Sequence, residues 1–134
     1  IILRPANLQF RDGAPLTGQS DHLVNLQMGI GDKESTSQAT LLFSYASQRV
    51  TARGASNFSG VGFLPDVVEL PGYRIDFVAR QGFKVLGREV ELKFEARNLT
   101  GTRYQEFQDF PSSRVFVNRY RLGRTVSLGL SVTL

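Results

Sequence analysis

Apolar and polar residues alternate along most of this chain. From Tyr120 one face reads Tyr120, Leu122, Arg124, Val126, Leu128, Leu130, Val132 and Leu134. The other reads Arg119, Arg121, Gly123, Thr125, Ser127, Gly129, Ser131 and Thr133. This period of two lasts about 16 residues, against about 5–6 for an ordinary strand, and breaks only at Arg124. Residues 89–98 set Val90, Leu92, Phe94 and Ala96 against Glu89, Glu91, Lys93, Glu95 and Arg97. Residues 73–83 set Tyr73, Ile75, Phe77, Ala79 and Phe83 against Arg74, Asp76, Arg80 and Gly82. Residues 22–30 carry Val24, Leu26, Met28 and Ile30 on one side, and residues 37–49 carry Ala39, Leu41, Phe43 and Tyr45. Residues 1–10 are ambiguous, and Pro5 argues against a central strand there. No segment keeps a helical period for three turns.

The connections divide by length. Gly31-Asp32-Lys33-Glu34-Ser35 and Val85-Leu86-Gly87-Arg88 are short and turn-like. Residues 50–71 and 99–117 read as long connections, and 11–21 as intermediate. In chain order short and longer alternate, so an up-and-down sheet has all its short turns on one edge. Two all-β architectures fit this pattern. One is a soluble antiparallel sheet with a single wet face. The other is a transmembrane barrel wall with apolar positions toward lipid and polar positions toward the lumen. Strand length and the short/long asymmetry favour the wall.

Composition narrows the chemistry. The chain has 134 residues, no Cys, no Trp and one His. Disulfides, Cys-ligated zinc and thiol catalysis are therefore excluded. No apolar run reaches the ~20 residues of a transmembrane helix. Ile1-Ile2-Leu3 is followed at once by Arg4 and Pro5, which reads as no secretory signal. The missing initiator Met suggests a mature, trimmed or partial chain. The net charge of +4 is carried mainly by Arg, scattered through the chain and not clustered as in a nucleic-acid-binding segment.

The end of the chain, Gly123-Arg124-Thr125-Val126-Ser127-Leu128-Gly129-Leu130-Ser131-Val132-Thr133-Leu134, resembles the final strand of TonB-dependent outer-membrane receptors. The stretch Phe94-Glu95-Ala96-Arg97-Asn98-Leu99-Thr100-Gly101-Thr102-Arg103-Tyr104 is similar to the family's preceding strand, with Thr100 and Gly101 where Phe-Asp is common. Pro15-Leu16-Thr17-Gly18-Gln19-Ser20, followed by Val24-Asn25-Leu26, looks like an earlier loop-to-strand entry. Ser127, Gly129, Val132 and Leu134 also resemble the assembly signal of outer-membrane proteins. Val132 stands there where an aromatic is usual, and Leu134 replaces the usual terminal Phe.

The resemblance implies an antiparallel up-and-down transmembrane β-barrel wall. Residues 1–134 would supply about 5–6 strands from the C-terminal part of a barrel of roughly 22 strands. The plug domain and the rest of the barrel would lie outside this chain. It implies TonB-energised uptake of a scarce nutrient, a ferric siderophore first and cobalamin, haem or an oligosaccharide otherwise. The implied partners are the rest of the same barrel and its plug, the TonB complex through the plug, the barrel-assembly machinery, and outer-membrane lipid and lipopolysaccharide. No nucleic acid is expected. The implied location is the outer membrane of a Gram-negative bacterium. Two alternatives stay open: a soluble β-sandwich ligand-binding module, and a small barrel completed by oligomerisation. An enzyme is not expected.

No catalytic set, metal site or cofactor site emerges from the residues. His22 alone builds neither a metal site nor a Ser-His-Asp set. Glu89, Glu91 and Glu95 alternate with Lys93 and Arg97, as on a neutralised lumen or solvated face. Gly60-Val61-Gly62 lacks the strand-to-helix setting of a phosphate loop. Asn98-Leu99-Thr100 fits a glycosylation sequon but is more simply part of the Asn-Leu motif. Tyr104 and Tyr120 read as an aromatic girdle at the headgroup level. Phe107 and Phe110 stand between that role and ligand stacking. Arg103, Arg114, Arg119 and Arg121 could meet lipopolysaccharide phosphates or an anionic ligand, or be a merely solvated loop.

Overall fold

The computed structural model describes residues 12–34, 36–55 and 63–133. The ambiguous residues 1–10, the Gly60-Val61-Gly62 segment and Leu134 lie outside the described residues. Among the described residues there are nine strands and no helix. They are β1 (Leu23–Gly31), β2 (Ser37–Ala46), β3 (Arg49–Ala52), β4 (Val67–Glu69), β5 (Gly72–Val85), β6 (Arg88–Arg97), β7 (Arg103–Phe110), β8 (Ser113–Arg121) and β9 (Thr125–Thr133). All pairings are antiparallel.

The strands form one ladder in the order β1-β2-β5-β6-β9 and a second in the order β3-β4-β7-β8. The second repeats the neighbour order of the first, because the same runs of chain pass through both. β2 enters β3 across Ser47–Gln48, and β4 enters β5 across Leu70–Pro71. β6 reaches β7 through 98–102, and β8 reaches β9 through 122–124. The two ladders thus abut along a seam as two storeys of one meander. A sandwich would bury their inner faces. Here Ala96 and Phe107 are the only buried hydrophobic residues among those described, and no large side chain is fully buried.

Three of the four runs break at the seam on left-handed backbone: Gly72 at φ 72°, Asn98 at φ 54° with Gly101 at 65°, and Gly123 at 74°. The Gly123 break sits beside Arg124, where the terminal alternation falters, so the expected single last strand is two strands. The fourth run passes Ser47 and Gln48 still paired to the chain ahead of β1. The Ser47 N–H donates to His22 O at 2.9 Å, and the Gly18 N–H to Val50 O at 2.7 Å.

Both short turns lie where the sequence puts them. Leu86 and Gly87, at φ 51° and 79°, form the two-residue link between β5 and β6, with the twist that suits a tight hairpin. Asp32 organises the β1–β2 turn. Its carboxylate accepts from the Thr36 N–H at 2.8 Å and the Ser37 N–H at 3.2 Å, and also from the Thr36 hydroxyl. Those bonds hold its pKa below the ordinary value.

The long connections need correction. Residues 99–117 are no open loop: β7 and β8 form a hairpin that turns at Pro111–Ser112. The 50–71 stretch contains the end of β3 and all of β4. Between these strands Asp66 accepts from the Gly54 N–H at 2.9 Å and pairs with Arg53 at 3.0 Å.

Candidate functional site

Register decides which side chains share a face. Across the first ladder, Met28 lies opposite Leu41, Leu41 opposite Phe77, and Phe77 opposite Ala96. Ala96 in turn lies opposite Val126. The next rung toward the short turns runs Ile30, Ala39, Ala79, Phe94, Leu128, and the two beyond add Leu92 opposite Leu130 and then Val90 opposite Val132. One face of the five-stranded sheet is therefore apolar from edge to edge. Nothing among the described residues covers it: Ile30 is 76% exposed and Leu128 70%. Its main polar interruption, Gln81, accepts a hydrogen bond from the Ser37 hydroxyl at 2.9 Å on the neighbouring strand.

The opposite face is polar, and its charges neutralise one another. Lys93 pairs with Glu95 at 2.7 Å, Arg97 reaches the same carboxylate at 3.4 Å, and Arg74 pairs with Asp76 at 3.2 Å. Across the β6–β9 ladder Glu95 lies opposite Ser127 and Lys93 opposite Gly129. Ser127 and Gly129 are thus on the polar face and Val132 on the apolar face.

All four tyrosines of the chain lie at the seam. Tyr45 and Tyr73 face each other across β2 and β5 at the end of the apolar rows. Tyr104 and Tyr120 face each other across β7 and β8, with rings stacked at a centroid distance of 4.8 Å. Of this set, sequence reasoning singled out Tyr104 and Tyr120. Tyr45 and Tyr73 read there as ordinary apolar positions, and only the register shows that they end their rows. Tyr73 to Phe83 is about 34 Å of strand. A strand tilted by about 40° rises about 26 Å over that length.

Asn98 ties the seam together. Its backbone N–H donates to Asp76 at 2.8 Å, and its amide nitrogen donates to Gly123 O. Its amide oxygen accepts from the Thr102 N–H at 3.1 Å. Only 6% of Asn98 is exposed, so the sequon is closed to a glycan.

The second ladder has two faces of different chemistry. On the side of Tyr104 and Tyr120, Arg49 pairs with Glu69 at 2.8 Å, and Thr51 donates to Glu106 at 2.7 Å. On the other side Phe107 meets Phe116 edge-on at 6.2 Å, under the Arg114 guanidinium at 3.9 Å. Arg114 also makes a two-pronged contact with Asp109, at 2.6 and 2.9 Å. Arg119 lies over the Phe116 ring at 4.8 Å. Phe107, only 4% exposed, is thus a packing residue of the hairpin and presents no ring to a ligand. Phe110 is half-buried beside the turn. Arg103 and Arg121 sit opposite each other and are exposed.

Among the described residues no group of His, Cys, Asp and Glu side chains could hold a metal ion, and no helix is long and apolar enough to cross a membrane. Comparison with protein-family models, curated proteins and solved structures found no match.

Proposed function

We propose that this chain is part of the wall of a transmembrane β-barrel, the C-terminal segment of a TonB-dependent receptor in the outer membrane of a Gram-negative bacterium. The observation that carries the reading is the uncovered apolar face running across all five strands of the first ladder. In water such a face needs a second layer, and hydrocarbon supplies one. At the strand tilt typical of such walls, Tyr73 to Phe83 would span about 26 Å, in keeping with an apolar band of about 25 Å. Rings at the seam would sit at the headgroup level.

In this reading the short turns at Asp32 and Leu86–Gly87 are periplasmic, and the second ladder stands above the membrane on the extracellular side. β9 carries the assembly signal at Ser127, Gly129 and Val132. The edges of the wall would pair with further strands of the same barrel, because lipid satisfies no open backbone edge. The role is transport, with no chemistry on the cargo. A ferric siderophore is the first candidate cargo, and cobalamin, haem or an oligosaccharide the others. The plug would couple the barrel to the TonB complex.

Nitroxide labels on the full-length receptor in bilayers test this. Labels at Leu26, Leu92 and Leu128 should relax faster with oxygen dissolved in lipid. Labels at Gln27, Lys93 and Ser127 should respond to a water-soluble nickel chelate. Equal accessibility of both sets rejects the wall.

A further inference from the structure

One juxtaposition in the second ladder is unfavourable as it stands. Arg103 in β7 and Arg121 in β8 are direct cross-strand partners, and Arg119 shares their face opposite Gln105. Like charges directly opposite destabilise a ladder. None of the three arginines forms an ion pair among the described residues. The nearby carboxylates are engaged elsewhere. Glu69 holds Arg49, Glu106 takes hydrogen bonds from Thr51 and Asn118, and Asp109 holds Arg114. The Arg119 guanidinium is fixed over the Phe116 ring, which leaves its N–H edge free to donate.

We propose that Arg103, Arg119 and Arg121 form a binding site for a soluble ligand carrying clustered anionic oxygens, of the carboxylate or phosphate class. Guanidinium forks match such oxygens in pairs, and a bound anion turns the Arg–Arg repulsion into shared attraction. The choice of a soluble ligand over lipopolysaccharide comes from the alternation. Tyr104 and Tyr120 occupy the face opposite the arginines. Through Ser47 and Gln48, that tyrosine face continues the apolar side of the first ladder. The arginines therefore continue the polar side; the hollow beside Arg103 lies at the seam and is lined from both sides, by Asn25, Ser44 and Arg74 and by Tyr73, Tyr104 and Glu69. Taking this side as the lumen rests on the wall reading.

The test is thermal unfolding of the full-length receptor in detergent at low salt, with inorganic pyrophosphate as probe. Pyrophosphate should raise the Tm of the wild type saturably. The double variant Arg103→Gln/Arg121→Gln should bind it at least about tenfold more weakly. Without the anion the double variant should be as stable as the wild type or more so, because the repulsion is gone. Equal protection of both proteins, or of neither, overturns the proposal. So does a double variant that unfolds earlier without the anion, since the arginines would then serve structure. Lipopolysaccharide is the second arm: if it protects only the wild type while pyrophosphate protects neither, the row reads a lipid surface instead. The Leu128 label, measured on the same samples, reports independently whether the wall reading holds.

Discussion

Asn98 and Asp76 are 22 residues apart in the chain, yet the Asn98 backbone N–H donates to the Asp76 carboxylate at 2.8 Å. This bond fixes the left-handed kink at Asn98 against β5, while the amide group holds Gly123 and Thr102. Asn98→Ala should cost about 2–4 kcal/mol, from lost buried hydrogen bonds and from the left-handed backbone, which Asn tolerates better than Ala. Asn98→Gly keeps the backbone and should cost less. Equilibrium unfolding in detergent and denaturant reads both; equal losses would show that the left-handed backbone at 98 costs Ala nothing extra, and no loss in either would show that the side-chain bonds contribute nothing.

On the apolar face, charge should be poorly tolerated. On the wall reading, Leu128→Arg, on the rung of Ala79 and Phe94 near the middle of the Tyr73–Phe83 span, should lower stability by about 2–4 kcal/mol. Lys93→Leu on the other side should cost far less. The measurement is unfolding into denaturant from lipid vesicles, and similar losses for both substitutions would contradict the assignment of the faces.

Orientation is open to a direct check. A Cys placed at Lys33, in the Asp32 turn, should resist an impermeant maleimide applied to intact cells. A Cys placed at Ser112, in the β7–β8 turn, should react. Labelling at 33 from outside would invert the proposed topology.

The Asp109–Arg114 contact predicts a pH dependence of the hairpin tip. The two hydrogen bonds from Arg114 hold the Asp109 carboxyl below its ordinary value of 3.8. A lowered folded pKa means that the stabilisation is complete above the unfolded value and fades as pH falls through the folded one. Amide exchange at Ser113, corrected for its intrinsic rate, should therefore be flat from about pH 7 to pH 5 and accelerate only below about pH 4. Asp109→Asn should abolish that acid step.

Gly54 has no room for a side chain: an added Cβ would lie 1.8 Å from Leu64 O. Gly54→Ala should break the Gly54–Asp66 hydrogen bond and loosen the pairing of β3 with β4, read as faster amide exchange in β3. Unchanged exchange would show that the backbone moves aside for the methyl group without loss.

The lower ladder was legible because each strand there has one apolar and one polar face, so the period of two stands out at Val90 to Ala96 and Val126 to Val132. The upper ladder was not. β7 reads Arg103, Tyr104, Gln105, Glu106, Phe107, Gln108, Asp109, Phe110. It is polar on both sides, so its alternation carries no hydrophobic signal and the stretch passes for a loop. The role of Asn98 was hidden for another reason: Gly123 lies 25 residues on, and no local pattern reports a partner so distant. The candidate arginines were visible as residue types. Their division between a neutralised one, Arg114, and the like-charged pair Arg103 and Arg121 needed the cross-strand register.

That register shifts once. Glu106 pairs with Asn118 but Phe107 pairs with Phe116, so Val117 has no opposite number. Beyond this extra residue every side chain of β8 is turned over relative to an unbulged strand. Phe116 and Arg119, three apart, can therefore lie on one side and touch. A length change of one amino acid acts here as a sidedness switch: deleting Val117 would carry Phe116 and Arg114 to the tyrosine side and strip Phe107 of its cover. The composition would be nearly unchanged, while the hairpin tip would present its contents on the opposite side of the sheet.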